Sequence, residues 1–293
     1  MKASLLNIIR WVNSWSAHHV GISVMRAGRG LTRQKLDDPR LIDYIDTGHR
    51  AGATFLTPLA KASCFQIALG PASIHPWVVA LKRGLSTGLK SDVARVLESY
   101  YSQVVPRDAA EWLDVPAGRV PELRHTAPHA AVLPWSTLDP SRAADRQESI
   151  HLRENRRYGL EEGVLSGHKA YGPLNRARLE METDRLWRLA RSISESGLIT
   201  QRRDYTLSGD FLFNHDRFRA LVRGGGHRAA VAAAVGIDII PLTISSVIRR
   251  EEVSIWPQVA AGVYDDATAL TVFDRLLEGR LPGVMSAWSS SVG

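Results

Sequence analysis

The chain has 293 residues, 44% hydrophobic and 23% charged, which excludes a disordered or fibrous protein and allows one large domain or two ordinary ones. Its net charge of +7 and pI near 9.8 favour an anionic partner without choosing among nucleotide, nucleic acid, lipid headgroup and acidic glycan. A single cysteine, Cys64, excludes an internal disulfide framework and a cysteine-based metal site.

In chain order, Leu5, Ile8, Ile9, Val12 and Trp15 fall at helical spacing. From Met1 to Lys35 the basic residues Lys2, Arg10, Arg26, Arg29, Arg33 and Lys35 meet no acidic residue. This basic amphipathic helix either docks on a core or lies on a membrane surface. No apolar run approaches the roughly 18 residues of a bilayer span, and no cleavable leader is recognised. The expected location is therefore cytoplasmic, with a peripheral contact at the inner membrane through the N-terminus.

From Leu41 to Asp114 the pattern reads as mainly helical, with a polar turn at Leu85-Ser86-Thr87-Gly88-Leu89. Residues 116–146 carry Pro116, Pro121, Pro128, Pro134 and Pro140 and read as an irregular connection. The expected organisation is a mainly helical region over 1–150, an α/β domain over 151–250 and a helical extension over 251–293.

Leu179 to Ser196 places Leu179, Leu186, Leu189, Ala190 and Ile193 on one helix face, and Gly197 stops it. Short strands are expected at Asp204–Leu207 and Phe211–Asn214, separated by Ser208-Gly209, and at Phe218–Arg223. Then come the loop Gly224-Gly225-Gly226, an alanine-rich helix from His227 to Val235 closed by Gly236, and a strand from Ile239 to Ile244. Asp266 to Glu278 is the last helix.

A strand, a glycine loop and a helix start make a ready anion site, because unpaired amides and the positive end of the helix dipole converge there. Gly224, Gly225 and Gly226 let a phosphate approach the main chain, Arg228 adds a charge-assisted contact, and His227 can donate to a phosphate oxygen or position a leaving group. The plainer alternative is a tight turn with close helix packing by Ala229, Ala230 and Ala232 to Ala234. Trp77, Trp112, Trp135 and Trp256 form either a sugar-stacking surface or core. His215-Asp216 reads as a turn.

Two stretches carry a resemblance. Ser192-Ile193-Ser194-Glu195-Ser196-Gly197-Leu198 and the Gly225, Arg228, Val231 spacing, with alanines at Ala229 and Ala230, resemble the ParB/sulfiredoxin superfamily over about a quarter of the chain. The resemblance implies a small mixed-sheet domain that binds ATP or CTP at the glycine loop, with Thr200 touching the nucleotide. Within it, Glu182 is the expected catalytic and Mg²⁺-binding carboxylate, and His227 the second catalytic group. Gly226 stands where sulfiredoxins carry cysteine, which excludes their chemistry, and Gly224 stands where the free serine kinases carry aspartate. No helix-turn-helix follows Ile244, as it does in the chromosome-partitioning members.

The tail with Trp256-Pro257-Gln258-Val259 and Gly262-Val263-Tyr264, together with Tyr171-Gly172-Pro173, Pro76-Trp77 and Glu111-Trp112-Leu113, looks like ParB-domain proteins of bacterial surface-polysaccharide biosynthesis. The expected function is thus an ATP-dependent phosphotransferase acting on a carbohydrate or lipid-linked glycan precursor. The alternative is a nucleotide-binding DNA-binding or scaffold protein without transferase activity.

Overall fold

A computed structural model describes residues 54–116, 118–160, 167–198 and 207–292. The expected N-terminal amphipathic helix, Thr200 and most of the strand expected at Asp204–Leu207 lie outside them. A mixed α/β fold is built on one six-stranded sheet of order β1-β6-β4-β5-β2-β3. The strands are β1 (Thr54–Pro58), β2 (Ala62–Cys64), β3 (Ile67–Ala68), β4 (Leu207–Asn214), β5 (Arg217–Gly224) and β6 (Ile239–Arg249).

Three of these strands fall at the start of the stretch 41–114, which is mainly helical from Pro76 onward as expected. β2 runs parallel to β5, with Ser63 opposite Leu221, and β1 lies antiparallel to β6, with Phe55 opposite Leu242. At two to five residues they are too short to show a two-residue period, and their partners lie far along the chain. The sheet thus draws strands from both sides of residue 150, and that residue sits inside a helix, Pro140–Tyr158.

β4 is one strand where two were expected. Ser208-Gly209 is a bulge, because the register shifts on either side of Gly209 against β5 and β6. Added on Gly209, a Cβ would collide with the Leu221 carbonyl. The alternation of strand side chains divides two cores between the faces of the sheet. Phe211, Phe213, Ala220 and Val222 join one, and Leu212, Leu221 and Ile248 join the other.

On the first face pack α1 (Pro76–Thr87), α2 (Lys90–Gln103), α6 (Arg176–Ser196) and α7 (Gly226–Ala234). On the second lie α3 (Ala109–Leu113), α4 (Pro121–Arg124) and α9 (Asp266–Glu278). α8 (Pro257–Ala260) and α10 (Ser286–Val292) are short. α5 (Pro140–Tyr158) starts inside the segment expected to be irregular: Asp139 caps it by accepting from the Arg142 amide at 2.9 Å, and Pro140 occupies the first turn, where no amide is needed.

α6 follows the expected pattern. Asn175 caps its start by accepting from the Arg178 amide at 2.8 Å, and Gly197 ends it at φ 70°. One side of α6 packs into the first core through Leu186, Ala190 and Ile193, which leaves Arg178, Glu182 and Arg185 to line an adjacent buried strip near the start of α7.

Candidate functional site

The site forms where β5 hands over to α7. Gly225 is the N-cap at φ 79°, a conformation only glycine adopts freely, and the first amide bonded back one turn is that of Ala229, to the Gly225 carbonyl at 3.1 Å. The amides ahead of Ala229 are those a helix start leaves without an intrahelical acceptor. The Arg228 guanidinium folds back over the loop, its Nη2 3.0 Å from where a Gly225 Cβ would stand.

Packing also demands all three glycines. A Cβ at Gly224 would strike the Ser208 hydroxyl, one at Gly225 would lie 2.5 Å from Leu207, and one at Gly226 would lie 2.6 Å from the Cys64 Sγ. The loop is at once a partly exposed backbone platform and a close-packed turn.

His227 and Glu182, 45 residues apart, meet here: the His227 Nε2–H donates to the Glu182 carboxylate at 2.6 Å. Both side chains are buried, so the bond is shielded from water. The second carboxylate oxygen accepts from Arg178 at 2.9 Å. Arg178, fully buried, also donates to Glu154 at 2.7 Å and to the Asn155 side-chain Oδ1 at 3.1 Å. Glu154 in turn accepts from Lys169 at 3.0 Å and from Arg185 at 3.4 Å. Three cations therefore face two carboxylates, and the strip carries an excess positive charge.

These charges set the protonation states. Burial alone would raise the Glu182 carboxyl, but His227, Arg178 and Arg185 outweigh it and hold its pKa at about 2. Burial likewise opposes ionisation of Glu154, yet Lys169 and Arg178 hold it well below the usual carboxylate range. Burial lowers His227, against the pull of Glu182. Glu182 is thus an ionised carboxylate accepting from His227 Nε2–H, and Nδ1 is the ring nitrogen left to take up or give a proton.

The side chains around His227 were not foreseeable. Trp77 of α1 stacks on its ring, centroids 4.0 Å apart and planes 18° from parallel. The Trp77 Nε1–H donates to the Tyr101 hydroxyl at 3.1 Å, which donates to the Lys169 carbonyl at 2.9 Å. His75 caps α1 through Nδ1, which accepts from the Trp77 amide at 3.3 Å; burial, and next His227, lower its pKa to about 3. Only Arg178 had a sequence signal, its i,i+4 spacing to Glu182 on a helix.

The neighbouring acids of α6 and the expected tryptophan surface lie elsewhere. Glu180 is exposed and pairs with Arg176 at 2.9 Å, and Asp184 pairs with Lys90 at 2.6 Å. Both border a cleft of about 910 Å³ between α2 and α6, floored by Ala94, Tyr101, Leu174 and Leu179. It lies on the other side of α6 from Glu182 and shares only Tyr101 with the site. Trp77, Trp112 and Trp256 are core residues and Trp135 packs against the second core, so they form no sugar-stacking surface. His215 is a turn residue at φ 53°.

For the expected Mg²⁺ the donor set does not fit. Both Glu182 oxygens are engaged by Arg178 and His227, and among the described residues no three histidine, cysteine or acidic side chains group at metal-binding spacing. Among the described residues no helix is long and apolar enough to cross a membrane. No family model, curated protein or solved structure matches the chain.

Proposed function

We propose that the protein is a nucleotide-dependent phosphotransferase in which the start of α7 holds the phosphates and His227, oriented by Glu182, accepts the proton of an acceptor hydroxyl. The observation that carries this is the 2.6 Å bond between Glu182 and His227 at the mouth of the glycine loop. A base held by a carboxylate, one residue from an arginine and beside the positive end of a helix, has the parts that proton transfer to a phosphorylated substrate requires. The superfamily resemblance at Ser192–Leu198 and Gly225–Val231 supports the same reading.

In this mechanism Arg228 and the amides at the head of α7 take the transferred phosphate. A charge-assisted bond from the guanidinium contributes about 1.5–3 kcal/mol, and the helix end about 0.3–1 kcal/mol. The acceptor oxygen forms its bond to the γ-phosphorus as the bond to the nucleoside diphosphate breaks. Its proton passes to His227 Nδ1, and Glu182 stabilises the imidazolium through Nε2–H.

The test is calorimetry of the full chain with ATP, CTP and GTP, followed by nucleoside diphosphate release in the presence of carbohydrate and lipid-linked glycan acceptors. Arg228→Ala is expected to weaken nucleotide binding, and Glu182→Gln to abolish turnover while binding persists. Turnover unchanged in both variants would overturn the proposal. Binding without turnover in the wild type would reduce it to a nucleotide-binding scaffold.

A further inference from the structure

We propose that Trp77 is a positioning residue for His227, fixing the plane of the imidazole so that Glu182 engages Nε2 and Nδ1 is presented to the substrate; this rests on the reading of His227 as the proton acceptor. The need for such a residue follows from the geometry. Glu182 touches the ring at one atom only. A histidine χ2 is a broad torsion, and one in-plane bond leaves the ring free to swing about the Nε2 to oxygen axis. A flat partner against one face removes that freedom, and the indole of Trp77, nearly parallel at 4.0 Å, is in that position.

Trp77 is itself held on every side. It is fully buried, and its Nε1–H is committed to Tyr101, whose hydroxyl is tied to the Lys169 carbonyl. Its backbone amide is bonded to His75. The Phe65 ring meets it edge-on at 5.2 Å, and the indole edge lies 3.9 Å from where a Gly226 Cβ would be. Phe65 and Gln66 turn the chain between β2 and β3 at φ 48° and 70°, conformations that neither residue favours, so the tertiary structure maintains this wall against local preference. The constraint therefore runs from the main chain at Lys169, through Tyr101 and Trp77, to the face of His227. A misplacement of about 1 Å at a reacting group costs about a hundredfold in rate, so a ring free to rotate is a poor base even with Glu182 intact.

The test is a proton–nitrogen NMR experiment on the histidine rings of the full chain, with turnover measured alongside. The charged and titratable groups that act on His227 include Glu182 and Arg185 on α6, Lys169 and His75, with Arg228 next in the chain, and all are unchanged in the Trp77 variants. The wild type is expected to show a downfield Nε2–H resonance from the short bond, assigned by its loss in Glu182→Ala. In Trp77→Leu this resonance should vanish into solvent exchange and the ring should populate both tautomers. kcat should fall about 10- to 100-fold with KM changed less than about threefold, since the phosphate contacts remain. Trp77→Phe, which keeps an aromatic face, should restore the resonance.

A folded Trp77→Leu protein with the wild-type resonance and tautomer overturns the proposal. Should that variant fail to fold, Tyr101→Phe decides: a shifted, faster-exchanging Nε2–H supports the chain of constraint, and an unchanged one overturns it. The NMR result does not depend on turnover, so a wild type without phosphotransfer would sink the functional reading and still leave Trp77 tested.

Discussion

Replacing Glu182 by glutamine keeps the shape of the side chain and removes one buried negative charge. The carboxyl, held at about 2 against an ordinary value of 4.5, contributes about 3 kcal/mol of stability at neutral pH. Glutamine recovers part of this. Its carbonyl can still accept from Arg178, which also keeps Glu154 at 2.7 Å, and its amide can donate to His227. The expected loss is therefore about 2–3 kcal/mol, less than the roughly 3–5 kcal/mol that follows when a buried partner is simply deleted. For a protein of this size that is a fall in Tm of about 4–12 °C.

The sign of the pH dependence follows from the depressed carboxyl. Its stabilisation is complete above 4.5 and is lost as pH falls through about 2. Urea denaturation of wild type and Glu182→Gln at pH 7 and pH 3.5 should show a gap that narrows on acidification. The substitution also presents an N–H to His227 Nε2, which must then accept, so the ring proton moves to Nδ1 and the base is lost. Equal stability of the two proteins at pH 7, or a gap that widens in acid, refutes the assignment of an ionised buried Glu182.

Gly226→Ala places a methyl 2.6 Å from the Cys64 Sγ and should cost about 1–3 kcal/mol; adding Cys64→Ala should return part of it, measured as a non-additive double-mutant cycle in urea melts. His75 is held at about 3 and His151 at about 4, each chiefly by burial, so the unfolded chain binds their protons first. Stability is complete above about 6.5 and should fall by about 3 kcal/mol from His75 alone between pH 6.5 and 4, read as the midpoint of denaturation against pH. Burial pushes the Cys64 thiol up to about 12, so a thiol reagent at pH 8 should label the native protein only at the rate of unfolding and label it fully in denaturant. Rapid labelling of the native form would show that Cys64 is not enclosed.

The elements with many residues and local signals were readable along the chain. α6 and α9 show helical spacing over 21 and 13 residues, with Asn175 and Asp265 as caps and Gly197 and Gly279 beyond their ends. The glycine loop before α7 was visible for the same reason, since left-handed backbone and close approach both select glycine. β1, β2 and β3 were not, because a strand of two to five residues is stabilised by its neighbour in the sheet and not by its own composition.

The candidate site divides along the same line. The glycine-loop pattern singled out His227 at a helix start, where unpaired amides carry meaning without any knowledge of the fold, while Glu182 was picked by its place in the family resemblance and stands in the second turn of α6. Folding alone decided that the two touch and that Trp77 covers the imidazole, whereas the Arg178–Glu182 pair follows from i,i+4 spacing on one helix. The Glu182–His227 and Trp77–His227 contacts join segments tens to more than a hundred residues apart, and their strength comes from exclusion of water, a property of the packed interior that no local run of residues possesses.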